Sequence, residues 1–112
     1  MIIGFYDGRV DQVACHLALL IKYASQAQFE VIGKNSHLYA VKRFQTLVGR
    51  KGDLVSLLTF DSRGVIVSTK GLKYKLSYKH LLPSSRGMSN EMSQKHASIS
   101  VKNGTLFVFH YV

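Results

Sequence analysis

From residue 12 onward the apolar positions recur at helical spacing. Val13, Leu17, Leu20, Ile21, Ala24 and Ala27 fall on one face, while Gln12, His16, Lys22 and Gln26 can face elsewhere. The spacing predicts a helix over residues 12–27, with Asp11 as its N-cap, because a short carboxylate accepts the unpaired amide protons of a first turn. Cys15, Ala18 and Leu19 widen the apolar surface beyond one stripe, so contact on more than one side is expected. After Phe29 the period changes to 2 and turn residues recur about every ten positions, as in an all-β sandwich or barrel. Strands are expected over residues 30–33 and 38–41, around the turn Lys34-Asn35-Ser36, and a central strand over residues 54–60. Residues 49–53 and 61–64 read as turns. Asn103-Gly104, between Ile99 and Val101 on one side and the apolar run 106–112 on the other, predicts a type I′ hairpin. Leu72, Tyr74, Leu76 and Tyr78 alternate with Lys73, Lys75, Ser77 and Lys79, which predicts a strand with one packed and one cationic face. Residues 83–94 are polar without apolar periodicity and read as a loop between two strands.

Composition narrows the class. The 112 residues suffice for one domain, or one domain with a piece of another, and 46% hydrophobic residues against 19% charged ones exclude a disordered chain. The lone Cys15 excludes an internal disulfide and a cysteine-based zinc site, and fits a reducing compartment. The apolar stretch 13–21 contains His16 and falls well short of the ~20 residues that span a bilayer, so no membrane helix is expected. The first residues lack a secretory pattern, and a cytoplasmic location is expected. Fifteen Lys and Arg against six Asp and Glu give a net charge of +9, which calls for an acidic partner.

Several candidate chemistries compete with simpler explanations. The cations could neutralise phosphates, and Tyr74 and Tyr78 among lysines could stack bases, but the cations form no dense tract. Lysines on outer strand faces and tyrosines in the core are the simpler reading, so nucleic acid is disfavoured as a partner. Gly33-Lys34-Asn35-Ser36 does not match a phosphate-binding P-loop. The five histidines match no zinc spacing and read as surface residues, and Cys15 within an apolar helix reads as buried. Gly8-Arg9-Val10-Asp11-Gln12 sets a guanidinium, a carboxylate and an amide at the mouth of a helix, where phosphate plus a metal could sit; an ordinary capped helix start is the competing reading. Thr69-Lys70-Gly71-Leu72-Lys73-Tyr74 is followed later by Ser89-Asn90-Glu91, whose hydroxyl and amide could meet a heteroaromatic ring. A strand followed by a solvated loop is the alternative.

In order and spacing, Gly8 to Gln12, Thr69 to Tyr74, Ser89-Asn90 and the terminal Asn103-Gly104 turn resemble the thiamine pyrophosphokinase (thiamine diphosphokinase) family. Asp7 departs from the small residue usual there. The resemblance covers only the carboxyl-terminal part of such enzymes. It implies a mainly β fold, an antiparallel sandwich or jelly roll preceded by one helix that belongs to a truncated α/β nucleotide-binding domain. Residues 1–28 would be the remnant of that ATP-binding domain, and residues 29–112 the thiamine-binding β domain. Family members convert ATP and thiamine to AMP and thiamine diphosphate, with Mg2+, as homodimers. By this resemblance Asp11 and Arg9 would be catalytic, with Asp11 also on the metal, and Gln12, Tyr74, Ser89 and Asn90 would line the substrate. ATP would bind through the part not in this chain, so no kinase activity is expected of it alone. The alternative function is a non-catalytic module, either a basic β-barrel for nucleic acid or a thiamine sensor.

Overall fold

Strands with both faces apolar need cover on both sides, and this chain supplies it with three layers. The computed structural model describes residues 10–24, 26–84 and 86–112. It contains a helix, α1 (Val10–Ala24), and then nine strands among the described residues: β1 (Phe29–Ile32), β2 (Ser36–Val41), β3 (Phe44–Val48), β4 (Leu54–Leu58), β5 (Val65–Lys70), β6 (Lys79–Leu81), β7 (Asn90–Glu91), β8 (His96–Lys102) and β9 (Leu106–Tyr111). One antiparallel sheet has the order β1-β2-β9-β4-β7, and the other β3-β8-β5-β6. The mainly β sandwich preceded by one helix is therefore the observed fold.

The period of 2 explains the layering. Tyr39 and Val41 of β2, Val55 and Leu57 of β4, and Leu106 and Val108 of β9 meet Leu47, Val65, Val67, Ile99 and Val101 of the second sheet in the central core. The intervening residues Leu38, Ala40 and Phe107 point to the other side, where Leu20 and Ala24 of α1 cover them together with Val31. β9 is thus apolar from Leu106 to Phe109 because both of its faces are packed there.

Four details differ from the sequence expectations. The helix starts at Val10 and ends at Ala24, so Asp11 lies inside its first turn instead of capping it; a carboxylate there still complements the helix dipole. The amides of Gln26 and Ala27 both donate to the Tyr23 carbonyl, which closes the helix earlier than the apolar spacing implied. Cys15 is exposed, because the covered stripe is the one through Leu20 and Ala24. Asn103 and Gly104 do adopt positive φ, at 68° and 150°, but they join β8 to β9 across the two sheets and form no hairpin.

Candidate functional site

The segment 71–78 and the stretch 87–92 build one corner of the molecule. Leu72 forms an antiparallel bridge with Met92, the Lys73 amide donates to the Glu91 carbonyl (2.8 Å), and the Ser93 amide donates to the Gly71 carbonyl (2.8 Å). Residues 72–78 do not form the expected strand: Leu72 is buried, but Tyr74 and Tyr78 are 59% and 72% exposed. The alternation of apolar and charged residues is satisfied by a bent segment that inserts Leu72 and Leu76 and turns both rings outward. The expected loop 83–94 is likewise more ordered than its polarity suggested. Leu57 donates its amide to the Gly87 carbonyl (2.8 Å), the Ser89 amide donates to Ser56 Oγ (3.1 Å), and Asn90 and Glu91 pair with β4 as β7.

Asn90 is the keystone of this corner. It is 6% exposed, its Oδ1 accepts from the amides of Tyr74 (3.0 Å) and Glu91 (2.8 Å), and its Nδ2 donates to the Tyr74 carbonyl (2.9 Å). One side chain therefore fixes both backbone groups of Tyr74. Ser89, at φ 61°, precedes it in the chain and is exposed, so a hydroxyl-bearing, an amide-bearing and an aromatic residue belong to the same corner at the β7 edge. Lys73 Nζ stands 5.3 Å from the Tyr74 ring centroid. A ring face that holds an ammonium can also meet another cation.

The other half of the anticipated site stands elsewhere in the fold. Arg9 lies outside the described residues, as does the side chain of Gln12, and Asp11 is exposed on α1. That helix packs over β1, β2 and β9, whereas Asn90 belongs to the strand at the far edge of the same sheet. Tyr74, Ser89 and Asn90 are brought together; Asp11 is on a separate element. No group of three His, Cys, Asp or Glu able to hold a metal ion exists among the described residues, so these residues do not by themselves fit a magnesium site.

Sequence reasoning missed a second polar cluster, at one end of the central core. His110 was expected on the surface, yet it is 1% exposed, because its position on β9 falls on the inward side with Leu106 and Val108. Its Nε2 pairs with Asp53 Oδ2 at 2.9 Å, and the Arg50 amide donates to the same oxygen at 3.0 Å. His37 Nδ1 approaches Tyr39 Oη at 3.2 Å and Glu30 Oε2 at 3.3 Å. Burial, followed by the charge and hydrogen bond of Glu30, pushes the Tyr39 hydroxyl up to about 12.

The hydrogen bond from His110 holds the Asp53 carboxyl below its ordinary value of 3.8. A carboxylate whose folded pKa is depressed contributes stability above its unfolded pKa, and that contribution is lost as pH falls through the folded value. Acidification below 3.8 should therefore weaken the fold through this pair. Urea midpoints measured at neutral pH and in acid should fall further for the native chain than for Asp53→Asn. Equal falls would show that the pair carries no such linkage.

Comparison with known proteins places this geometry. No curated protein matches the sequence significantly. The fold is similar to thiamine pyrophosphokinase from Bacillus subtilis, with a TM-score of 0.79 and 22% identity, over 94% of this chain and 51% of that one. The structure of thiamin pyrophosphokinase from Geobacillus thermodenitrificans gives 0.72 and 23%, over 94% and 50%. The family protein from Enterococcus faecalis gives 0.75 and 17%, over 99% and 54%. The chain thus spans about half the length of these solved structures. Residues 41–106 match the family described as "Thiamin pyrophosphokinase, vitamin B1 binding domain", which takes in β3 to β8 and the whole Tyr74–Ser89–Asn90 corner, and it is to this family that the chain belongs.

Proposed function

We propose that this chain holds thiamine for a thiamin pyrophosphokinase reaction. The observation that carries the reading is the lock between Asn90 and the backbone of Tyr74, which fixes the residue that bears an exposed ring at the sheet edge where the exposed Ser89 also lies. Ser89 and the spare Nδ2 proton of Asn90 would meet the aminopyrimidine, and the Tyr74 face would sit near the thiazolium cation. Both are tasks of orientation, which is what a group-transfer enzyme asks of its acceptor domain. Residues 29–112 form the thiamine-holding domain in this reading, and residues 1–28 close a nucleotide-binding domain that would bring ATP and magnesium.

Asp11, Arg9 and Gln12 would join the site only with that second part, which in a homodimer can come from the other subunit. Magnesium would supply neutralisation of the charge that develops on the transferred diphosphate. Asp11 could lend it one oxygen. The exposed Cys15 fits a reducing, cytoplasmic setting.

Calorimetric titration of the purified chain with thiamine tests the binding role. Saturable binding with one site per chain, weakened at least tenfold by Tyr74→Ala, is the expected result. With ATP, magnesium and thiamine present, no thiamine diphosphate should form. Turnover by the chain alone would overthrow the assignment of ATP to another part.

A further inference from the structure

The second sheet carries a groove that the thiamine reading does not use. Its lining includes Ser68, Ser98 and Ser100, the rings of Phe44 and Tyr78, and Lys70 and Lys75, and its volume is about 310 Å³. The register explains the serines: Ser100 lies opposite both Ser68 and Phe44, and Ser98 opposite Lys70, so the neighbouring outward positions Ser68, Ser98 and Ser100 are small and hydroxylated. None of Tyr74, Ser89 or Asn90 lines it. From Val65 to Val112 the sequence contains a single acidic residue, Glu91, against six Lys and Arg86, and Glu91 sits on β7 in the other sheet. The groove therefore offers hydroxyl and ammonium donors with no carboxylate among its lining residues. Tyr78 adds an exposed ring on an anchored backbone. Its φ of 48° is one that a tyrosine rarely adopts, its amide is anchored on Ser68 Oγ at 3.0 Å, and Lys102 Nζ lies 5.7 Å from its ring centroid. Because Ser68 Oγ already accepts that amide, its own proton remains to be given to a ligand.

We propose that this groove is a second ligand site, which takes the phosphate group of a small phosphorylated aromatic compound. The phosphate oxygens accept from the serine hydroxyls and from Lys70 and Lys75, and the ring of the ligand packs beside Tyr78. A volume of about 310 Å³ suits one ring with its phosphate, at the lower end of the ~300–1,000 Å³ range of ligand pockets, and is too small to be the track of a long strand. Uridine monophosphate, uridine and inorganic phosphate are the probes, none of which bears on thiamine binding, so the two assignments can fail separately. In amide chemical-shift titrations, uridine monophosphate should shift Ser68, Ser98, Ser100 and Tyr78 saturably, and inorganic phosphate should shift the three serines more weakly. Lys70→Ala and Lys75→Ala should each weaken uridine monophosphate about fivefold, the loss of one charge-assisted contact. Tyr78→Leu should reduce it to the level of inorganic phosphate. Unchanged shifts elsewhere in the spectrum show that these surface variants are folded. The proposal is overturned if the groove amides do not respond, if the substitutions leave the response unchanged, or if an oligouridylate binds with steep salt dependence while the mononucleotide does not, which would make the face a nucleic-acid surface.

Discussion

Asn90→Ala is expected to cost about 2–4 kcal/mol of folding stability and to abolish measurable thiamine binding, since it removes three hydrogen bonds worth roughly 0.5–1.5 kcal/mol each and leaves a buried amide unpaired. The lost bonds are those from the Tyr74 and Glu91 amides to Oδ1 and from Nδ2 to the Tyr74 carbonyl. Stability and binding are separable by a second variant. Asn90→Asp keeps an acceptor for both amides but replaces the Nδ2 donor with a carboxylate oxygen that faces the Tyr74 carbonyl. It should recover part of the stability, while thiamine binding stays at least tenfold weakened because the donor to the aminopyrimidine is gone. Urea midpoints and calorimetric titration on the same preparations measure both quantities. Native-like thiamine affinity in Asn90→Asp would mean that the amide only braces the corner and does not touch the ligand.

The part of the fold that was legible in the sequence is the part written in local pattern. The helix, the β1–β2 turn and β4 follow from apolar spacing and turn residues, because those features act between near neighbours. Residues 72–78 were misread for a physical reason: an alternating pattern says which side chains are apolar, and Leu72 and Leu76 do pack, but it cannot register that the Asn90 side chain takes the hydrogen bonds a neighbouring strand would have supplied. The order in residues 87–91 was also hidden. Its partners, Ser56 and Leu57, lie some thirty positions earlier, and nothing local in a serine-rich stretch announces them. Asn103-Gly104 shows the converse case, with its positive φ angles readable from residue type and its partner strands not. His110 was missed because a buried histidine looks like any other until its carboxylate is found 57 positions away. Ser89 and Asn90 could be singled out only by the order of motifs along the chain, and the hydrogen bonds of Asn90 to Tyr74 are what give that order a structural meaning.

The same corner depends on a glycine whose replacement should be strongly damaging. Gly71 has φ +82°, and a Cβ there would run into the His96 carbonyl oxygen and come within 2.9 Å of the Ala97 Cα. Both obstacles are backbone atoms of β8, fixed by pairing with β3 and β5, so they cannot swing aside as a flexible side chain would. Left-handed backbone costs a non-glycine residue about 1–3 kcal/mol, and overpacking against a fixed neighbour about 1–3 kcal/mol more, so Gly71→Ala is expected to lose about 2–6 kcal/mol. Gly52 separates the two contributions. Its φ is also left-handed, +95°, but nothing lies within 4 Å of an added Cβ, so Gly52→Ala should show the backbone penalty alone, about 1–3 kcal/mol. Urea denaturation of the two variants gives the difference directly. Should Gly71→Ala prove no worse than Gly52→Ala, the close approach of residue 71 to β8 would be wrong. With it would go the anchoring that carries the chain from β5 into the Tyr74 turn.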